Sequence, residues 1–121
     1  MSSTSSAQVG EEYVRAPNRF DDRITADGSS GWPAEPGRYR MVVSLACPWA
    51  HRTLIFRKLK NLESAISLSV VHWLMLQNGW SFADGPGVVP DPVNDADYLY
   101  QVYTAADSAY SGRVTVPALW D

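Results

Sequence analysis

Only one cysteine, Cys47, occurs in 121 residues, and a single thiol excludes an intramolecular disulfide framework. The two histidines stand far apart, so no cluster with metal-ligand spacing exists and no metal is expected. Positive charge is not in excess either: 10 Lys and Arg against 13 Asp and Glu give a net charge of −3. That balance leaves no basic footprint for nucleic acid or for an anionic membrane surface. No apolar run approaches the roughly 18 residues that span a bilayer, and the Ser/Thr-rich start lacks the apolar core of a signal peptide. These absences point to a cytoplasmic setting, with neither nucleic acid nor membrane as partner.

What is present is one modest domain's worth of chain, 45% apolar and carrying five tryptophans and six tyrosines. Flat aromatic surfaces line pockets for aromatic or thiol-bearing ligands, although core packing also accounts for many of them. Residues 1–12 are small and polar and read as disordered, and the arm as a whole covers residues 1–38, with anchors at Tyr13, Val14, Phe20, Ile24 and Trp32. Tyr39 to Leu45 is nearly continuous in apolar residues, as a central parallel strand requires. A helix is predicted from Pro48 to about Lys60, with Ala50, Leu54, Ile55, Leu59 and Leu62 near helical spacing. Ile66 to Val71 reads as a second strand, so the three elements spell a right-handed βαβ unit.

His72 to Asn94 follows as a loop rich in Gly, Pro and Asp, longer than ordinary connections. Its Trp73, Trp80 and Phe82 argue that it serves function. Asp95 is placed to cap a helix running to about Ala106, with Tyr98, Leu99, Val102, Tyr103 and Ala106 as its apolar stripe. Val114 to Trp120 completes the pattern as a strand with Pro117 near its mouth, where Val116-Pro117 is either a cis peptide or an ordinary trans proline at a strand start.

The chemistry concentrates at Cys47-Pro48-Trp49-Ala50-His51, between the first strand and the first helix. A thiol there is aimed out of the sheet's carboxyl edge, where unpaired helix N–H groups and the dipole favour a thiolate. Pro48 suits the first helical position because it has no N–H to leave unpaired. The competing reading is a cysteine that packs as a small hydrophobe. The position three after Cys47 is Ala50, so any mixed disulfide must be resolved by an external thiol. His51 is read as a local hydrogen-bonding residue at the helix start, and His72 as one that satisfies backbone groups at a strand end.

Three segments occur in order: Pro33 to Tyr39, Ser44 to Thr53, and Ser111-Gly112-Arg113-Val114-Thr115-Val116-Pro117. With them stand Val70-Val71-His72, Asn78 to Phe82, Tyr98-Leu99 and Tyr103 to Asp107. Together they resemble the glutathionyl-hydroquinone reductases, the Xi class of glutathione transferases, over nearly everything from Phe20 to Asp121. The resemblance implies an α/β, thioredoxin-like fold, the N-terminal domain of a glutathione transferase, over 39–121, with a long loop-helix insertion at 73–112.

The reaction that the resemblance implies starts with attack of Cys47 on the glutathione sulfur of an S-glutathionyl hydroquinone. Hydroquinone leaves, and a second glutathione resolves the Cys47–glutathione mixed disulfide. Glutathione would be the co-substrate and glutathionylated hydroquinones the partners. By matching positions Trp80 would pack against glutathione, while Arg113, Val114, Thr115, Val116 and Pro117 would bind it through side chain and backbone. Trp80 as an anchor of the long loop and Arg113 as a solvated turn residue are the alternatives. A broader omega-like thioltransferase or dehydroascorbate reductase remains open beside the leading reading. So does a non-catalytic fragment that binds glutathione weakly or pairs through an open sheet edge.

The family's fourth strand, following helix and helical C-terminal domain are not in this sequence, so the chain is expected to be truncated after the third strand. An apolar edge at Val114 to Trp120 is the expected result. Dimerisation belongs to the intact family and is not carried over.

Overall fold

The apolar run after Gly37 folds as the middle of a three-stranded sheet, in a computed structural model that describes residues 19–121 in full. It also gives the backbone of two strands, β1 (Ser6–Val9) and β2 (Glu12–Arg15), which pair antiparallel. The expectation of disorder over 1–12 otherwise lies outside the described residues. Strand β3 (Arg40–Val43) lies between β4 (Ser67–Val70), parallel to it, and β5 (Ala118–Trp120), antiparallel to it. The registers pair Val43 with Val70 and Val42 with Ala118. A central strand must present apolar residues to both faces, and Val42 and Val43 are accordingly both buried.

Helix α1 (Pro48–Leu59) connects β3 to β4. Arg57 in its last turn donates from Nε to the carbonyl of Ile66 at 2.9 Å and from Nη2 to that of Glu63 at 3.0 Å, which ties the helix end to the turn into β4. The apolar stripe expected on α1 is largely uncovered: Ala50 is buried and Leu54 half-buried, but Ile55, Phe56 and Leu59 are exposed. Helical spacing marks a face able to pack. Whether that face is covered depends on a neighbouring element, which spacing cannot show.

The second helix starts later than its predicted cap. α2 is Leu99–Ala106, and Asp95 adopts φ 51, a left-handed turn conformation incompatible with the extended geometry of a helix cap. Asp91 organises that turn instead. It is buried, and its carboxylate accepts the N–H groups of Val93 and Asn94. At the true helix start the Gln101 side-chain oxygen accepts the N–H groups of Asp97 and Tyr98 at 2.8 and 2.9 Å, satisfying two donors ahead of the first turn.

The last predicted strand is shortened to Ala118–Trp120, because residues 114–117 form a turn with a cis Val116-Pro117 bond. Among the described residues β5 pairs on one side only, and Leu119 on it is exposed. Leu99 and Val102 of α2 join Val42, Val43, Ala50, Val70, Val71, Phe82 and Val116 in one core. Phe82 therefore belongs to the packing. The arm over 19–38 lies against the same domain: Phe20 stacks on Tyr110 and meets Tyr103 edge-on, and the Tyr39 hydroxyl donates to the Pro33 carbonyl. No helix of the described residues is long and apolar enough to cross a membrane.

Candidate active site

Ser44, directly after β3, is fully buried and shapes the exit of the chain toward α1. Its Oγ accepts the N–H of Ala46 at 3.1 Å and its carbonyl accepts that of Cys47 at 3.2 Å. Cys47 is then the N-cap of α1 in an extended conformation, followed by Pro48 at the first helical position. Its side chain makes no cap bond, and no acidic residue sits in the first turn. A negative charge on sulfur there meets the helix dipole and no like charge on its own helix.

Cys47 is half-buried, and its Sγ lies 3.9 Å from the carbonyl oxygen of Val116, 69 positions away in sequence. The thiol thus faces the cis Val116-Pro117 turn, the cis form being one of the two readings that the sequence left open. That turn is itself held. The Tyr103 hydroxyl donates to the Thr115 carbonyl at 2.7 Å and accepts the Thr115 N–H at 3.3 Å, while the Tyr110 hydroxyl donates to the Arg113 carbonyl.

The structure brings Cys47, Val116 and Pro117 together. Val114 packs half-buried against the core. Trp80 also packs half-buried against it, and its carbonyl accepts the Leu99 N–H at 2.9 Å, so it anchors the long loop to α2. The His51 side chain is exposed, and its N–H makes the first helical bond to the Cys47 carbonyl at 3.0 Å. His72 accepts the Leu74 N–H on Nδ1 and stacks on Trp73, the local role its strand-end position suggested. Among the described residues no group of three or more His, Cys, Asp and Glu could hold a metal ion.

Tyr103, Tyr110 and Ser44 were not singled out from the sequence as parts of the site. Tyr103 read as one member of an apolar stripe, because periodicity registers its ring and is blind to where its hydroxyl reaches. Burial raises the pKa of the Tyr110 hydroxyl, the neighbouring Tyr103 adds to the effect, and Arg19 over the ring opposes it.

A thiol at a helix N-cap, facing a cis X-Pro turn beside a β-α-β unit, is the arrangement against which known families can be compared. The family model described as glutathione S-transferase, N-terminal domain, matches residues 46–121. The chain belongs to that family. A glutathionyl-hydroquinone reductase of Sphingobium chlorophenolicum is 54% identical over 112 residues, covering 93% of this chain and 34% of its own length. The glutathione-bound structure of a glutathione transferase homologue from Escherichia coli K-12 is 58% identical, with a TM-score of 0.78 over 81% of this chain and 34% of that one. The glutathione-S-transferase Xi of Phanerochaete chrysosporium is 44% identical, with a TM-score of 0.81 over 88% and 36%. The chain spans about a third of the length of the curated relatives it matches. What it shares with them is the thioredoxin-like N-terminal domain of the transferase fold.

Proposed function

We propose that Cys47 carries out thiol–disulfide exchange with glutathione, as part of a glutathione-dependent reductase of S-glutathionyl hydroquinones. The observation that carries this reading is the 3.9 Å approach of the Cys47 sulfur to the Val116 carbonyl at the cis-proline turn. A glutathione backbone lying along that turn would bring its own sulfur to Cys47. The Sphingobium chlorophenolicum relative, described as a glutathionyl-hydroquinone reductase, supports the substrate class.

In the first step the Cys47 thiolate attacks the glutathione sulfur, a Cys47 S–S bond forms and the bond from that sulfur to the ring carbon breaks. The ring carbon takes a proton and hydroquinone is released. In the second step a glutathione thiolate attacks the glutathione sulfur of the mixed disulfide, glutathione disulfide leaves and the Cys47 thiolate is restored. Ala50, in the place a resolving thiol would occupy, makes the external glutathione necessary. Arg113 suits a carboxylate of the tripeptide, Val114 to Pro117 its backbone and Trp80 its flank. The site runs in a reducing cytoplasm, where glutathione is held as the thiol.

Mass spectrometry of the chain after incubation with a glutathionyl hydroquinone tests the reading. A glutathione adduct on Cys47, with free hydroquinone, reversed by added glutathione, is the expected result. Turnover of dehydroascorbate or simple mixed disulfides in place of the hydroquinone conjugate would instead assign an omega-like thioltransferase.

A further inference from the structure

The turn that faces Cys47 is held from behind by two tyrosine hydroxyls, whose rings pack in one cluster with Phe20. Tyr103 spans Thr115 on both sides, donating to its carbonyl at 2.7 Å and accepting its N–H at 3.3 Å. Tyr110 donates to the carbonyl of Arg113, two residues earlier. The two rings lie 5.1 Å apart, and Phe20 of the arm is stacked on one and set edge-on to the other. Arg19 next to it sits over the Tyr110 ring and pairs with Asp107, whose backbone N–H closes on the Tyr103 carbonyl at the end of α2. The arm, the end of α2 and the turn are thus joined at one aromatic cluster.

Both hydroxyls grip backbone atoms, which fixes the path of the chain whatever side chains it carries. Thr115 immediately precedes Val116, so its peptide groups set the direction of the Val116 carbonyl that faces the thiol. A phenylalanine at position 103 would fill the same space and keep the ring contacts. It would release both polar groups of Thr115. We propose that Tyr103 is a positioning residue for glutathione, acting through Thr115 on the Val116 face of the site, with Tyr110 in the same role through Arg113. The inference rests on the reading of this turn as the glutathione-binding segment.

The experiment follows formation of the Cys47–glutathione mixed disulfide from glutathione disulfide, by mass, over a concentration series. The Cys47 thiolate attacks one sulfur of the disulfide and a glutathione thiolate leaves. Alkylation by iodoacetamide, which needs only the thiol, runs in parallel. For Tyr103→Phe the half-saturating concentration is expected to rise about three- to tenfold, the worth of one hydrogen bond, while alkylation stays within about twofold of wild type. Tyr110→Phe is expected to move the same way. Tyr100→Phe, whose ring stacks on Tyr98, is expected to leave both rates alone. Equal half-saturation in wild type and both variants overturns the inference. So does a parallel loss of disulfide formation and alkylation, which would mark the tyrosines as structural only. Normal alkylation of the wild type with no saturable mixed disulfide removes the glutathione reading itself, and the inference with it.

Discussion

Ser44 and Cys47 close the turn that converts strand into helix, with the Cys47 N–H donating to the Ser44 carbonyl at 3.2 Å. The fully buried Ser44 adds a second bond from its side chain to the Ala46 N–H. The position of the thiol is therefore set by a serine that never touches solvent.

Replacing that serine by alanine removes one hydrogen bond and leaves the volume nearly unchanged. Ser44→Ala should cost about 1 kcal/mol of stability. It should also slow mixed-disulfide formation at Cys47 more than it slows alkylation. Urea denaturation with both rate measurements checks it. An unchanged unfolding midpoint would show the Oγ bond to be idle.

Cys47→Ser keeps the shape of the N-cap and removes the sulfur nucleophile. All glutathione adduct formation should vanish, with little change in thermal midpoint since the residue is only half-buried. Residual adduct formation would exclude the thiol route.

Leu99 is fully buried where α2 begins, and its N–H joins the helix to the Trp80 carbonyl. Leu99→Ala should destabilise the chain by about 2–5 kcal/mol through lost burial and the cavity left behind. Equilibrium denaturation gives the value, and a change below about 1 kcal/mol would show that α2 is not seated on the core as described.

Arg38 and Asp121 form a two-pronged ion pair, Nε to Oδ1 at 2.7 Å and Nη2 to Oδ2 at 2.9 Å. The hydrogen bonds from Arg38 hold the Asp121 carboxyl below its ordinary pKa, with burial opposing them and the Arg38 charge adding to them. A carboxyl depressed by folding contributes stability that is present above its unfolded pKa and is lost as pH falls through the folded one. The thermal midpoint of wild type should therefore exceed that of Asp121→Asn at neutral pH, and the difference should begin to shrink below about pH 4 and close only once the folded carboxyl is protonated. A difference independent of pH would mean that the pair adds nothing through charge.

The site was legible where local chemistry fixes it. Cys47 before Pro48 announces a helix start, whereas Val116-Pro117 left a cis turn and an ordinary strand start both open, and the structure shows the cis turn. The β-α-β order was readable because buried strands and an intervening helix differ in period. The start of α2 was not, since Asp95 has the composition of a cap but sits in a left-handed turn directed by Asp91. Nor was the exposure of Ile55 and Leu59, because a stripe of the right period says nothing about its cover. The grip of Tyr103 on Thr115 joins residues on separate elements, and no sequence period encodes the direction of a hydroxyl.

The thiol and the carbonyl it faces are 69 positions apart, whereas β3, α1 and β4 are consecutive. Closing so large a loop is entropically costly, so contacts of this separation gather slowly and after local ones. Cys47 is thus expected to meet its turn after β3, α1 and β4 have formed. During refolding, reactivity toward iodoacetamide should appear before selectivity for glutathione disulfide, so that mixed-disulfide formation would report the docking of β5 on β3.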